Sequence, residues 1–511
     1  MNKYIKFALW FFLGLNMFFA MWFVLHGDIF FHTDIARDFL LLDDLQKRKM
    51  VLIGPRASGL TGFFHGPLWM YLNYPVYLLS KGNPVAQGWF WIGLLVVYLV
   101  STFLIWKRKI GGDKALIFTT LLSLFFTLDP GHPSFNGYYN PFGALFLMPL
   151  YLYLLWTYLT HKNVWRLVAL IFINGLIIQF QIAFGAPLLI LSFILILRLI
   201  LREKKYMHLC SYGILLIPLS TYILFDLRHN FALLDAVIHP VPDPYRVYIP
   251  LIPLVLQRVG ILTSEGLHFF RDPFIPLNNI MLVYMSFVVY FIFTLKKKRF
   301  LLYFTAFFYG GLMVLTLLQN GWVQYFYWMP IYPLTFLFFT YYIDVISPKI
   351  AYSILLFVIV INTGYNLSNV VSSSQFIGSN KNSWQFESQI AKAVFDDAGS
   401  NTFGFFVFAP DIFGYSSKYP FVYWSKRIPN THMNIYRKEE ITYVVIEPPP
   451  SSQSQKNNDF TWWVKHKLNI ASSSGTLIYN RDGYKIEKFI LKGADLTTEI
   501  APGVNDWIYF R

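Results

Sequence analysis

Seven residues, His32-Thr33-Asp34-Ile35-Ala36-Arg37-Asp38, follow the first long apolar run of the chain, Phe7 to Leu25. A carboxylate can take a proton from a hydroxyl or amine, and an arginine can hold an anion in its planar fork. Two carboxylates around one arginine at the end of an apolar segment therefore read as chemistry before anchoring. The bland alternative for Asp34 is an N-cap, because unpaired N–H groups and the helix dipole favour a carboxylate there.

The elements that must position these residues follow from periodicity. Between Asp34 and Met50, Ile35, Phe39, Leu42 and Leu45 recur at helical spacing, which predicts an amphipathic helix lying on a membrane, capped by Thr33 or Asp34 and served by Asp38. The loop continues through Ile53-Gly54-Pro55-Arg56-Ala57-Ser58-Gly59 to Phe63-Phe64-His65-Gly66-Pro67-Leu68-Trp69, two Gly/Pro-shaped segments bracketing the same surface. Leu68 to Leu79, broken by Pro75 and too short to span, is expected as an interfacial helix.

With 511 residues, 56% hydrophobic, 20% aromatic and only 14% charged, the chain carries more apolar surface than soluble packing can hide. The formal charge of +15 does not point to nucleic acid, because Lys and Arg cluster in short loops between apolar runs: Lys3 and Lys6, Lys107 to Lys109, Lys162 to Arg166, Arg202 to Lys205, Lys296 to Arg299, and Lys349. Placing all of these in the cytoplasm predicts about eleven spans, near 7–25, 88–106, 114–128, 142–159, 165–183, 185–201, 209–225, 279–295, 300–318, 327–343 and 350–369. The N-terminus is then cytoplasmic, and the first loop and everything beyond the last span lie outside, in a multi-pass protein of the plasma (inner) membrane. Met1 to Leu25 has no small-residue cleavage pattern and is read as a retained helix. The single cysteine, Cys210, forms no intramolecular disulfide and is expected as a packed thiol.

The fold class is thus an all-α polytopic membrane protein, residues 1–370, with interfacial helices in its first outer loop. A small C-terminal α/β extracytoplasmic domain, 371–511, follows, with β-prone runs at Phe403 to Phe408 and Thr442 to Ile446. That domain carries no catalytic signature and reads as a spacer or acceptor-docking module.

A first long span, an Asp at its outer end, an Arg three residues later in an amphipathic helix, and the Phe-x-x-Pro-Leu segment Phe64 to Leu68 together resemble the GT-C superfamily of membrane glycosyltransferases. Protein O-mannosyltransferases and the lipid A aminoarabinose transferase are the relatives it most resembles, over about residues 1–370. The resemblance implies a polyprenyl-phosphate-linked sugar donor used on the outer face, with Asp34 matching the catalytic Asp and Arg37 its nearby arginine. This chain departs from the pattern at Ile35, where relatives often place a Glu, and at Gly66, where they place a Lys. The second departure requires another cation to meet the donor phosphate.

Such a transfer needs a base for the acceptor and a cationic site for the departing lipid phosphate. A single Asp acting directly predicts inversion at the anomeric carbon. Arginine suits phosphate, so Arg37 and Arg56 lead the phosphate contacts with Arg228 beside them, ahead of Arg246, Arg258 and Arg271. His65, His132, Asn136, Asn140 and Gln181 are the donor- or acceptor-binding candidates. In Asp226-Leu-Arg228 a local ion pair is the bland reading. His65, His229 and His268 could join outer carboxylates around a divalent ion, but no close His/Asp spacing supports one, so neither metal nor cofactor is assigned. No Walker loop or dinucleotide fingerprint occurs. The implied partners are the lipid-linked sugar, a protein, glycan or lipid acceptor, and membrane lipids, with no nucleic acid. A transporter or flippase of a lipid-linked sugar, or a non-catalytic glycan-assembly protein, are the alternatives. Ionisable residues gathered on one side, without internal repeats, favour the enzyme.

Overall fold

The computed structural model describes residues 1–57, 62–126, 138–239, 249–260, 300–318, 323, 327–343, 347–379, 382–409, 413–428, 430–448 and 459–504. In chain order its helices are α1 (Lys3–Ala20), α2 (Trp22–Leu25), α3 (Thr33–Arg48), α4 (Leu68–Leu79), α5 (Pro84–Ile110), α6 (Gly112–Phe125), α7 (Asn140–His161), α8 (Val164–Phe180) and α9 (Ile182–Glu203). A 3-10 segment, Tyr206–Leu216, leads to α10 (Ser220–Arg228), α11 (Ala232–Ile238), α12 (Leu251–Gly260), α13 (Phe300–Leu317), α14 (Tyr332–Tyr342) and α15 (Pro348–Ser374). The C-terminal part runs α16 (Trp384–Ala398), β1 (Phe403–Phe408), α17 (Tyr415–Ser425), β2 (Met433–Ile435), β3 (Ile441–Ile446), α18 (Phe460–His466), β4 (Thr476–Arg481), β5 (Tyr484–Ile490) and α19 (Ala494–Thr497).

The chain divides into two compact units: Met1–Trp22, Lys49–Asn73 and Trp89–Ser372 in the first, Phe23–Arg48, Tyr74–Gly88 and Ser373–Arg511 in the second. Among the described residues of the first unit and its flanks, five helices are long and apolar enough to cross a membrane: α5, α7, α9, α13 and α15. A sixth crossing would be a bent pair, Tyr206–Leu216 with α10, angled by 60° where the sequence predicts one straight span. Pro218 stands at that bend, lacking the N–H a continuous helix needs. The other expected spans correspond to the shorter or less apolar α1, α6, α8 and α14, while 279–295 lies outside the described residues. Local chemistry sets the turns. Lys162 ends α7 in the left-handed region, and the Asn163 side chain accepts from the N–H groups of Trp165 and Arg166 to start α8. Buried amides tie α15 to α1, with Asn16 donating to Thr363 Oγ1 (3.0 Å) and Asn366 to Asn16 Oδ1 (2.6 Å). Cys210 is exposed on the 3-10 segment, not packed as expected, because that stretch turns few of its side chains inward.

In the second unit a five-stranded sheet has the order β2-β1-β3-β5-β4, parallel from β2 through β3 and antiparallel beyond. Side chains alternate along β1: Phe403, Phe405 and Val407 pack with Ile390, Val394 and Phe395 of α16, while Phe406 joins Val464, Leu468 and Phe489 on the opposite face. The same unit contains α3. Its apolar face, predicted to lie on a membrane, is covered by protein instead: the Phe39 ring lies 4.8 Å from Tyr419 of α17 and 6.3 Å from Tyr77. An apolar stripe satisfied by lipid and one satisfied by a facing helix are the same pattern in sequence.

Candidate functional site

In the second unit, Asp34 and Arg37 stand one turn apart on α3, with Arg37 Nη1 donating to Asp34 Oδ1 at 2.6 Å. The neighbouring Asp38 accepts from Arg37 Nε (3.1 Å) and Nη2 (2.8 Å) through a single oxygen, Oδ1. The result is a carboxylate, guanidinium, carboxylate array that grades from solvent to core: the Asp34 side chain is 40% exposed, that of Arg37 15% and that of Asp38 7%. Burial works against the Arg37 charge, but Asp38 and Asp34 outweigh it and push its pKa above the ordinary arginine value. Asp34 is not the helix cap. The carbonyl of His32 accepts from Ala36 N–H (2.9 Å), and His32 Nδ1 accepts from Asp34 N–H (3.2 Å), so the histidine caps α3 and leaves the Asp34 carboxylate to Arg37. Asp38, expected only to serve the amphipathic helix, is buried and part of the array.

Further along α3, the buried Asp43 pairs with Lys47 at 2.8 Å and with Lys426 at the end of α17, and accepts from the Tyr77 hydroxyl at 3.3 Å. Burial alone would raise this carboxyl; Lys426 and Lys47 bring it below the ordinary aspartate value. Upstream, Asp28 is fully buried and accepts from Ser383 Oγ, and from the backbone N–H groups of Gly378 and Gln385, both at 3.1 Å. Phe31 N–H donates to Asn382 O (2.7 Å) and Trp384 N–H to Ile29 O (3.2 Å). These bonds fix the strand that delivers His32 and Asp34.

The first unit holds a second group of candidates. The two Gly/Pro-shaped segments pair with each other: Gly54 N–H donates to His65 O (2.8 Å), His65 N–H to Pro55 O (2.9 Å) and Ala57 N–H to Phe63 O (3.0 Å), with Arg56 bridged to Phe64. Gly66 N–H donates to Gln179 O (3.0 Å), and a Cβ on Gly66 would fall 1.9 Å from Gln179 Oε1. Any side chain at this position would therefore require Gln179 to move. Gln179 Nε2 is spent on Pro218 O (2.6 Å) and Thr221 Oγ1 (2.9 Å).

His65 is buried, and Arg56 is exposed with no ion pair among the described residues. Asn140 is buried and donates to Phe180 O (2.8 Å), which holds the start of α7 against the break between α8 and α9. Gln181 forms that break in an extended conformation; its amide is fully buried, and neither polar atom has a hydrogen-bond partner among the described residues. Arg228 is exposed at the end of α10 and does not pair with Asp226, which instead accepts from Leu233 N–H (2.7 Å) to start α11. Arg258 is buried and donates to Gln257 Oε1 at 2.8 Å. His132, Asn136, Arg246, His268 and Arg271 lie outside the described residues. Among the described residues no three His, Cys, Asp or Glu side chains converge as a metal site.

The structure thus joins Asp34 to Arg37 in one unit, and Arg56 to His65 and Asn140 to the Gln181 break in the other. Sequence reasoning missed the capping of α3 by His32, the buried Asp28, and the bonds from Arg37 to Asp38. Asp38 had a local signal, being one turn from Asp34; Asp28 had none, since its partners lie some 350 positions away.

No protein family matches the chain, and no curated protein sequence does. Solved structures do. The crystal structure of ArnT from Cupriavidus metallidurans in the apo state aligns at TM-score 0.55 and 11% identity, covering 92% of this chain and 95% of that one. The structure of the same protein bound to undecaprenyl phosphate aligns at TM-score 0.55 and 12% identity, covering 96% and 98%. The resemblance read from the sequence therefore holds at the level of the fold: from end to end this chain is built like ArnT, the lipid A aminoarabinose transferase, a GT-C enzyme.

Proposed function

We propose that this chain is a membrane glycosyltransferase that moves a sugar from a polyprenyl-phosphate carrier to an extracytoplasmic acceptor, with Asp34 as general base. The observation that carries this reading is the Asp34–Arg37–Asp38 array, a half-exposed carboxylate oriented by a buried ion pair, in a chain with the ArnT fold. One relative of that fold holds undecaprenyl phosphate, the carrier class invoked here. In the reaction the acceptor O–H or N–H passes its proton to Asp34 as the heteroatom bonds to the anomeric carbon. The bond from that carbon to the phosphate oxygen breaks, its electrons leave with the polyprenyl phosphate, and the single displacement inverts the centre.

Three nitrogens of Arg37 already serve carboxylates, so its role in this reading is to orient Asp34 as much as to meet phosphate. Arg56, exposed and with no ion pair among the described residues, is assigned the leaving phosphate, with Arg228 as a further cation. His65, Asn140 and Gln181, together with His132 and Asn136, are assigned to the sugar or the acceptor. The chain is placed in the inner membrane with its second unit outside.

The test is glycoside formation by purified protein in detergent from a panel of undecaprenyl-phosphate sugars. Asp34→Asn should lower turnover by about 10²- to 10⁴-fold with undecaprenyl phosphate binding retained. Undiminished turnover would remove the base. Arg56→Ala should weaken undecaprenyl phosphate binding by about tenfold or more, the worth of one charge-assisted contact; equal affinity would take Arg56 out of the site.

A further inference from the structure

The far end of α3 carries a cluster of charge that the candidate site does not use. Asp43 is 4% exposed, and two ammonium groups share its carboxylate: Lys47, at 2.8 Å, and Lys426 at the end of α17. The next residue, Arg427, has its guanidinium carbon 3.4 Å from the centre of the Tyr423 ring and donates through Nη1 to Tyr423 O (3.0 Å) and through Nη2 to Lys81 O (2.8 Å). Lys81 lies in the turn after α4, where the Tyr419 hydroxyl holds Gly82 O (2.6 Å). All of these residues belong to the second unit.

The charge here is unbalanced. Lys47, Lys81, Lys426 and Arg427 gather around one carboxylate, and the neighbouring Arg48 is already paired with Asp44 at 2.8 Å. Among the described residues the partners of Arg427 are carbonyls and a ring, so part of its donor fork is uncommitted. The same turn exposes Leu78 (42%) and Leu79 (86%), and α5, which begins at Pro84, is long and apolar enough to cross a membrane. The cations therefore stand at a membrane surface, beside side chains that acyl chains can solvate. Apolar residues next to a basic cluster at that depth are how interfacial segments engage anionic headgroups. This face is the outer one in the function proposed above, where the positive-inside bias disfavours lysine and arginine, so their gathering there needs a partner. The patch is also remote from the reacting groups: at about 1.5 Å per residue, Lys47 lies about 20 Å along α3 from Asp34.

We propose that Lys47, Lys81, Lys426 and Arg427 form a docking surface for the headgroup of an anionic phospholipid, with Leu78 and Leu79 among its acyl chains. The phosphodiester accepts from the open donors of Arg427 and from the lysines, whose charge a single Asp43 does not cancel. Asp43 instead holds Lys47 and Lys426 side by side. The surface does not depend on which residue acts as base.

The test is lipid binding by the purified full-length protein in detergent, titrated with dioleoylphosphatidylglycerol or dioleoylphosphatidylcholine and read by native mass spectrometry. Phosphatidylglycerol should bind about tenfold or more tightly than phosphatidylcholine. A lysine near an anionic surface contributes about fivefold, so Lys81→Gln should weaken phosphatidylglycerol binding by about that factor, and Lys47→Gln combined with Lys81→Gln by about tenfold or more. Lys81 enters the turn through its backbone carbonyl, so Lys81→Gln leaves the bonds of that turn in place. As a control, Lys465→Gln combined with Lys485→Gln removes the same charge from exposed positions elsewhere in the second unit and should change the affinity by less than about twofold. Equal binding of the two lipids, wild-type affinity in the Lys47/Lys81 variant, or an equal loss in the control would each overturn the proposal, the last by showing a non-specific charge effect. Undecaprenyl phosphate binding that falls as much as phosphatidylglycerol binding in the Lys47/Lys81 variant would overturn it too, by making the patch a carrier site. A protein that binds phosphatidylglycerol through this pair but forms no glycoside removes the function proposed above and leaves the surface standing.

Discussion

Replacing Asp28 asks how firmly the 378–385 segment grips the strand that carries Asp34. The carboxylate has no exposed surface and accepts from Ser383 Oγ, Gly378 N–H and Gln385 N–H, besides the N–H of Ile29. Asp28→Ala leaves the Ser383 hydroxyl and the Gln385 N–H facing a methyl group, while Gly378 N–H keeps Ser383 Oγ (3.0 Å), and each buried donor left unpaired costs about 1–3 kcal/mol. Part of that is regained because a buried carboxylate is itself unfavourable, so the net loss should be about 3–5 kcal/mol, as for other buried charged contacts that lose one side. For a unit of this size the midpoint falls about 2–4 °C per kcal/mol, giving a drop of roughly 6–20 °C. Asp28→Asn keeps one acceptor oxygen and should lose about half as much.

The pH dependence has a definite sign. Burial raises the Asp28 carboxyl above its ordinary 3.8 despite the lowering by Ser383, Gln385, Gly378 and Ile29. The folded protein then binds this proton more tightly than the unfolded chain, so the Asp28 contribution to stability declines as pH rises from about 4 through the folded value, and is level above it. Thermal unfolding of wild type, Asp28→Asn and Asp28→Ala in detergent, followed by tryptophan fluorescence across that range, measures both effects. An Asp28→Ala midpoint within about 2 °C of wild type, or a wild-type minus Asp28→Asn difference that rises with pH, would refute the reasoning.

Asp38→Ala removes two of the three bonds that fix Arg37 and should cost about 2–4 kcal/mol in unfolding together with most of the proposed glycosyl transfer, whereas Asp38→Asn should retain a measurable share of both; unchanged melting and turnover would contradict this role for Asp38. Gly66→Ala forces a Cβ against Gln179 and should destabilise by about 1–3 kcal/mol, with partial rescue by Gln179→Ala, read as melting temperature in a double-mutant cycle. Burial would raise the Asp495 carboxyl, but the N–H groups of Ala471, Ser473 and Ser472 and the Ser473 hydroxyl hold it at about 2. Its stabilisation is complete above 3.8 and lost as pH falls toward 2, so Asp495→Asn should flatten the acid limb of the stability profile; an acid transition identical to wild type would contradict that.

What could be read from the sequence was what needs only short-range periodicity. Asp34 and Arg37 are three residues apart, and a helical repeat alone brings such a pair together. The aromatic and β-branched runs Phe403–Phe408 and Ile441–Ile446 form strands, as their composition indicates. The Gly/Pro segments around Arg56 and His65 were recognisable as shaped loops, and they pair locally, yet the seat of Gly66 on Gln179 depends on a contact more than a hundred residues away. For the same reason the sequence could not say that α3 faces protein. Helix α17, with Pro420 inside it and Tyr415, Tyr419 and Lys426 along one side, has no pattern that names α3 as its partner.

That pairing changes what the C-terminal unit can be. A spacer or detachable docking module would leave the first outer loop intact when exchanged for another domain. Here residues 28–31 are hydrogen-bonded to 382–385, Phe39 is covered by Tyr419, and the buried Asp43 is neutralised partly by Lys426. Removing residues 373–511 would expose the apolar face of α3, leave Asp28 without most of its donors and cost Asp43 its Lys426 partner, so the helix that presents Asp34 and Arg37 would lose the packing that gives most protein helices their stability. Asp34 is thus held as much by the end of the chain as by its beginning, and the Asp34–Arg37–Asp38 arrangement and the fold of residues 373–511 should be lost together.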